Sequence, residues 1–386
     1  MTANRAALRL AAYYAAIFSA VGIQIPFWPL WLKERGLSAT EIGLLMAATY
    51  MTRIVANPLV GHWVDHRGDR KRPMLILALA GAACWLLFPP LHSFTAILVV
   101  TVLAVGLFAG LMPVGDSLAM MMVHLHQLDY GRVRLWGSLA FIVTATLVGR
   151  VLEDWSPTIL PWLIAAGLLL TAASCTSLPD ARIPSSDSKP PPVMPLLKSP
   201  AFLLFIGAMA LNQAAHTVYY AFATIHWKAA GLSDTVIGLL WSEGVVAEIL
   251  LFMVSNRVVA KLGPGGLLLA AALGGVLRWI VLGACADLTW IAASQILHAA
   301  TFGCAHLGAM HFLPRAVPPA LSVRAQGLYA ALAIGLLPGL ITPLSGRLYD
   351  SLGGSAFFAM AGLSAGSAVL AWMLGRRWHG EFVTGS

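Results

Sequence analysis

Long apolar runs alternate with short polar breaks along this chain. A helix rises 1.5 Å per residue, so about 20 apolar residues cross the hydrocarbon core of a bilayer. Twelve runs meet that requirement: 8–32, 40–62, 73–91, 94–123, 132–152, 157–178, 200–226, 235–256, 264–285, 288–313, 325–348 and 354–375. The expected fold is an all-α membrane protein of twelve transmembrane helices. Between the sixth and seventh runs, residues 179–199 set Pro179, Pro184, Pro190, Pro191, Pro192 and Pro195 among Ser, Asp and Lys. Such a stretch cannot span a membrane and predicts a solvated linker. It divides the chain into six-helix bundles over 1–178 and 200–386.

Ten residues occur twice. Gly36-Leu-Ser-Ala-Thr-Glu-Ile-Gly-Leu-Leu45 returns as Gly231-Leu-Ser-Asp-Thr-Val-Ile-Gly-Leu-Leu240, an offset of 195 residues, and each copy leads into an apolar run. A second echo links Gly149-Arg-Val-Leu-Glu153, closing the fifth run, to Gly346-Arg-Leu-Tyr-Asp350, closing the eleventh. The halves are therefore pseudo-symmetric. Parallel repeats of this size suit a transporter, because two half-bundles rocking about a site between them give alternating access.

With 59% hydrophobic and 10% charged residues and a mean hydropathy of +0.80, the chain lies far from soluble proteins, where roughly 25% are charged. The net charge of +8 reflects topology, and nucleic acid is excluded as a partner. Placing the N-terminus inside puts seventeen Lys and Arg residues at cytoplasmic ends, including Arg5, Arg9, Arg67, Arg70, Lys71, Arg72, Arg132 and Arg134, against five on the opposite face. By the positive-inside rule both termini and the linker are cytoplasmic, in a bacterial inner membrane. Arg5 and Arg9 precede an apolar stretch that runs to Trp31 without a small-residue cleavage site, which predicts a retained first helix. Cys84, Cys175, Cys285 and Cys304 stand singly, so neither a disulfide framework nor a metal site is expected.

No phosphate-binding G-x-x-x-x-G-K-[ST] loop is present, nor H-E-x-x-H nor G-x-S-x-G. An enzyme is therefore not expected, ATP is not the direct energy source, and no cofactor is implied. Transport remains.

Ionisable groups inside spans are costly and usually face a cavity or a partner. Arg53, Asp116, Glu243, Glu248 and Arg278 lie at such depths. The repeat offset maps Arg53 onto Glu248, so the two are expected at matching depth on opposite walls of a central cavity. Gln295, His298, Phe302 and His306 are spaced 3, 4 and 4 residues, one narrow helical stripe. Histidine titrates near neutral pH and suits a proton relay; His311 lies off the stripe and reads as a packing residue. Tyr50, Arg53 and Asn57 share a face of the second span, Gln24 and Trp28 one of the first, and Asn212, His216 and Tyr220 one of the seventh. Trp31, Trp227 and Trp378 sit near span ends and read as interfacial anchors.

The loop after the second span reads Gly61-His-Trp-Val-Asp65-His-Arg-Gly68-Asp-Arg70-Lys-Arg72. This G-x-x-x-D-x-x-G-x-R-[KR] pattern resembles the loop 2–3 signature of the major facilitator superfamily. In it Gly61 would permit close helix approach and Asp65 would take a hydrogen bond or charge between the halves. Tyr130-Gly-Arg132-Val-Arg134-Leu-Trp136-Gly-Ser138 is similar to the lactose-permease-like branch, and Arg-Leu-Trp-Gly-Ser to its phenylpropionate permeases. The resemblance implies that Asp116, eighteen residues before Arg134, shares the substrate site with it, and that Phe141 takes the place of the sugar-stacking tryptophan. Further on, Arg278 and His298 match an arginine and a histidine of the permease's proton-coupling network. Thr301 replaces its coupling acid, and its eighth-span acid aligns near Val245, with Glu248 one turn beyond.

These signals converge on a proton-coupled symporter for a small organic solute such as a phenylpropionate-type aromatic carboxylate, working as a monomer in the lipid bilayer. Substrate contacts are expected from Arg53, Asp116, Arg134, Phe141, Gln24, Tyr50, His216, Phe302 and His306; proton coupling from Asp116, Glu248, Arg278 and His298; gating from Gly61, Asp65, Gly68 and Arg70. The alternatives are a sugar or nucleoside symporter, a drug/proton antiporter, and, in a different class, a membrane sensor on a transporter scaffold.

Overall fold

The computed structural model describes residues 2–179 and 193–383. The first half runs α1 (Ala3–Glu34), α2 (Ala39–Arg67), α3 (Lys71–Trp85), α4 (Phe94–Ala109), α5 (Leu111–His126), α6 (Tyr130–Asp154) and α7 (Leu160–Ser177). After a short α8 (Met194–Leu197), the second half runs α9 (Pro200–Ala214), α10 (Thr217–Ala229), α11 (Asp234–Met253), α12 (Ser255–Ala284), α13 (Leu288–Ile296), α14 (Ala305–Ala316), α15 (Ser322–Leu328), α16 (Leu337–Leu352) and α17 (Ala356–Arg377). Each predicted run is helical over most of its length. Nine helical stretches among the described residues are long and apolar enough to cross a membrane, the last being the 59-residue Pro319–Arg377. Most of the expected linker, residues 180–192 with Arg182 and Lys189, lies outside the described residues.

Several runs are not single regular helices. Gly110 separates α4 from α5, His216 precedes α10 where the seventh run breaks, and π turns occupy Ala299–Cys304 and Tyr329–Leu336. A π turn lets i→i+5 hydrogen bonds replace i→i+4 and shifts the facing of all later side chains.

Contacts group the chain into two compact units. The first gathers Met1–Leu37, Met51–Asp187 and Ser233–Ser242; in it α1 packs along α6 and α7, and α3 along α7. The second gathers Ser38–Tyr50, Ser188–Leu232 and Glu243–Ser386, with α17 packed along α12 and α9. Its core is partly aromatic: Phe205 stacks on Phe312 at 4.4 Å, and Trp378 meets Phe312 edge-on at 4.7 Å. Trp31 and Trp227 are fully buried and Trp378 is 7% exposed. The three are therefore packing residues, not interfacial anchors. Trp31 stacks on Trp28 at 4.6 Å, and burying so large a ring outweighs leaving it at the lipid surface.

Each unit holds the last eight residues of one copy of the ten-residue repeat, docked against one copy of the second echo. In the second unit, Thr40 Oγ1 donates to Asp350 Oδ2 at 3.0 Å, and a side chain at Gly346 would meet the Ala39 carbonyl oxygen at 2.6 Å. In the first unit, the Thr235 amide donates to Glu153 Oε1 at 2.9 Å, Gly149 lies against the Asp234 carbonyl, and Gly238 against that of Ala145. Both clasps need glycine for the same reason: backbone touches backbone, where no side chain can swing aside.

The mismatch of Glu41 against Val236 in the repeat becomes intelligible in this arrangement. Ser38 and Glu41 form a reciprocal capping box on α2, through Ser38 N to Glu41 Oε2 at 2.8 Å and Glu41 N to Ser38 Oγ at 3.3 Å. In the other copy Val236 replaces the glutamate, and Glu153 of α6 supplies the carboxylate to the start of α11. A carboxylate there favourably meets the positive end of the helix dipole.

Candidate functional site

Two clusters of polar side chains stand out, one in each unit. The first is built by α1, α5 and α6. Asp129 caps α6 by accepting the Arg132 amide at 3.2 Å, so Tyr130 and Arg134 fall one turn apart on a common face. Tyr14, fully buried on α1, donates its hydroxyl to Asp116 Oδ1 at 2.5 Å, and Tyr130 donates to the same oxygen at 3.1 Å. The Arg134 guanidinium lies 3.9 Å from the Phe18 ring centroid and 5.2 Å from that of Tyr14. Asp116 and Arg134 both touch Tyr14, and they do not form an ion pair. No described carboxylate lies within 4 Å of Arg134. Its charge rests on aromatic faces, each worth up to about 2 kcal/mol when desolvated. Phe141 lies two turns along α6, 6% exposed, with its backbone against Gly22 of α1, while Gln24 is half-buried on α1.

The second cluster is centred on Arg278, which is fully buried. Its Nη1 donates to Thr301 Oγ1 at 3.1 Å and to His298 Nδ1 at 3.2 Å, its Nη2 donates to Gln295 Oε1 at 2.9 Å, and the guanidinium lies 4.4 Å from the Tyr219 ring centroid and 4.9 Å from that of Trp279. A guanidinium has donors only, so His298 Nδ1 is the acceptor and the neutral ring carries its proton on Nε2. That nitrogen faces Glu248 Oε2 at 3.6 Å, just beyond hydrogen-bond range. Protonating Nδ1 would set two donors head to head. His298 can gain a proton only as Arg278 releases it.

The remaining partners complete the cluster. Tyr219 donates to Gln295 Oε1 at 2.8 Å, and Asn212 Nδ2 donates to the Thr301 carbonyl at 3.0 Å. His216, 1% exposed at the break before α10, pairs through Nδ1 with the Asn212 carbonyl at 2.8 Å and lies edge-on to Trp279. Arg278 Nε, His216 Nε2 and Asn212 Oδ1 have no hydrogen-bond partner among the described residues.

The stripe on the tenth run is sharper than a regular helix would make it. His298 and Phe302 stack at 5.4 Å with planes 6° apart, and Phe302 and His306 at 6.3 Å with planes 4° apart. The π turn Ala299–Cys304 lies within this stripe. Gln295 precedes the turn and points at Arg278. Tyr50 is half-buried on α2, while Arg53 and Asn57 are exposed there. Among described residues no cluster could hold a metal ion.

The loop motif is placed differently from expectation. A Cβ added at Gly61 would meet nothing within 4 Å, so no helix approaches it closely, and Asp65 is exposed. Gly68 ends α2 with φ 67°, a left-handed conformation that favours glycine. Arg70 is 7% exposed and donates from Nε to Ser117 Oγ at 3.0 Å, tying the loop to the helix that carries Asp116. Asp69, to which the motif gave no role, accepts the Lys71 amide at 3.0 Å and starts α3.

Tyr14, Phe18 and Tyr219 were missed in the sequence. Tyr14 and Phe18 are four apart on the first span, a weak sign of a shared face; nothing linked either to Asp116.

The MFS_1 like family model matches residues 7–360. A probable 3-phenylpropionic acid transporter of Escherichia coli (strain K12) is 34% identical over 91% of this chain and 93% of its own length. The maltose permease of Geobacillus stearothermophilus is 28% identical over 88% and 86%. Among solved structures, a mutant of the nucleoside transporter NupG superposes with a TM-score of 0.85 at 15% identity, covering 97% of this chain and all of its own; at that identity it supports the fold alone. A bacterial homolog of the human lysosomal transporter Spinster superposes at 0.72 with 13% identity, covering 98% of each chain. A family match across most of the chain and a relative this similar over nearly full length place the protein in the MFS_1-like family, as a multi-pass membrane transporter of the major facilitator superfamily.

Proposed function

We propose that this protein is a secondary active symporter that carries a small aromatic carboxylate of the phenylpropionate type inward with protons. Arg134 is the observation that carries this reading: a half-buried cation near the start of α6, cushioned on Phe18 and Tyr14, with no described carboxylate within 4 Å. An organic carboxylate would satisfy the guanidinium by charge-assisted hydrogen bonds, and its ring would suit the aromatic surroundings. The probable 3-phenylpropionic acid transporter at 34% identity supports the same chemistry.

In this reading the carboxylate-binding cluster and the Arg278–His298–Glu248 relay belong to one alternating-access cycle. A proton reaching Glu248 or His298 would disturb the hold on Arg278 and bias the second unit, and substrate binding at Arg134 would bias the first. The protein acts as a monomer in a bacterial inner membrane with both termini cytoplasmic, and it is not an enzyme. The basic residues gathered at one set of helix ends support that orientation.

A binding panel tests the substrate class. Only a ligand that binds the native state raises apparent thermal stability. 3-Phenylpropionate should raise the melting temperature of purified protein, whereas 3-phenylpropionamide, maltose and uridine should not, and Arg134→Gln should abolish the shift. A shift with maltose or uridine alone would replace the carboxylate reading with a sugar or nucleoside one.

A further inference from the structure

Asp116 shares a cluster with Arg134, yet its one engaged oxygen is taken by two phenols. Both donors converge on Oδ1, from Tyr14 on α1 at 2.5 Å and from Tyr130 on α6 at 3.1 Å. The same Tyr14 ring that reaches Asp116 through its hydroxyl lies beneath Arg134 with its face, 5.2 Å from the guanidinium carbon. One phenol thus stands between an acid and a base that would otherwise neutralise each other. A guanidinium paired with its own carboxylate has no charge to offer a solute.

We propose that Tyr14 and Tyr130 are positioning residues of the anion site: by holding the Asp116 carboxylate on two hydroxyls they keep Arg134 unpaired and available to a substrate carboxylate. The proposal rests on the carboxylate reading of the site and adds what keeps it open. The geometry of each tyrosine fits this role. Tyr14 is fully buried, so its hydroxyl has no water to turn to, and it is packed edge-on against Tyr13 and Tyr130 at 5.7 and 6.4 Å. Tyr13 in turn is fixed by its hydroxyl on the Leu111 carbonyl at 2.6 Å. Tyr130 is held by the Asp129 cap at the start of α6. A phenol that loses its hydroxyl keeps its ring. Tyr→Phe therefore removes the restraint on Asp116 and leaves the cushion under Arg134.

The test compares the wild type with Tyr14→Phe/Tyr130→Phe and with the same pair carrying Asp116→Asn. Two readouts are taken on purified protein: 3-phenylpropionate affinity by calorimetry, and the rate at which phenylglyoxal modifies Arg134, mapped by mass spectrometry. Freed of its hydroxyls, Asp116 should pair with Arg134, weakening binding on the order of tenfold or more and slowing modification severalfold. Asp116→Asn, which cannot form an ion pair, should restore both in the triple variant. A merely structural pair of tyrosines would lower the melting temperature and would not be rescued by removing a charge. Unchanged affinity and labelling in the double variant, or a loss that Asp116→Asn does not reverse, overturns the proposal. Were the wild type to bind no aromatic carboxylate, the substrate reading would fail, while the labelling contrast would still decide the role of the tyrosines.

Discussion

Replacing Gly346 with alanine perturbs one clasp by a single methyl group. That methyl would stand 2.6 Å from the Ala39 carbonyl oxygen and 3.2 Å from the Gly43 and Thr40 Cα atoms, where ordinary contact begins at 3.4 Å. Every one of those atoms is backbone, so relief requires α2 and α16 to part by several tenths of an ångström. Overpacking of this kind costs about 1–3 kcal/mol. Thr40 would then lose register with Asp350, now 3.0 Å apart. If the strain falls on the clasped arrangement alone, the clasped population drops roughly 5- to 150-fold relative to any arrangement in which the clasp is undone. Cysteines at Thr40 and Asp350, in a background without Cys84, Cys175, Cys285 and Cys304, would report it through the rate of a short thiol cross-linker. Gly61→Ala is the control, because no atom lies within 4 Å of its added methyl. The expected outcome is slow cross-linking in Gly346→Ala and an unaltered rate in Gly61→Ala. Equal rates in the two variants would refute the reasoning.

Glu153→Ala should loosen the other clasp, measured by cross-linking between cysteines at Thr146 and Ser242, whose hydroxyls lie 3.0 Å apart. Adding Val236→Glu should rebuild the Ser-x-x-Glu capping box that the first copy of the repeat retains and restore the cap of α11, but, being internal to α11, it should leave the clasp loose. Glu248→Gln, which mimics the protonated acid, should keep substrate binding and exchange but lose accumulation against a gradient; wild-type accumulation would remove Glu248 from the proton route. Reporters fused after Ser386 and near Ser186 should both read as cytoplasmic, and a periplasmic signal from either would overturn the assigned orientation.

Much of the fold was legible because membrane spans follow from run length alone, and the two echoes marked equivalent helix ends. What the echoes could not say was that they dock on each other. Gly43 and Gly346 are far apart in the chain, and repetition reveals likeness, not contact. The stripe His298–Phe302–His306 was visible at helical spacing, but no residue between 299 and 304 announces the π turn that runs through it or the near-parallel stacking of its rings. Trp31 and Trp227 misled because an aromatic at a span end suits either the interface or a helix–helix seam, and only packing decides. In the candidate site, Asp116 and Arg134 could be paired through the spacing that the resemblance supplied. Tyr14 could not, since an aromatic in an apolar helix carries no sign that its hydroxyl will find a carboxylate on another helix.

The symport reading stands or falls on gradient-driven uptake. Purified protein in proteoliposomes should accumulate labelled 3-phenylpropionate when an inward proton gradient is imposed, without ATP, and an uncoupler should collapse that accumulation to equilibration. Accumulation that persists after every ion gradient has been dissipated, or no uptake of the carboxylate under any gradient, would contradict it.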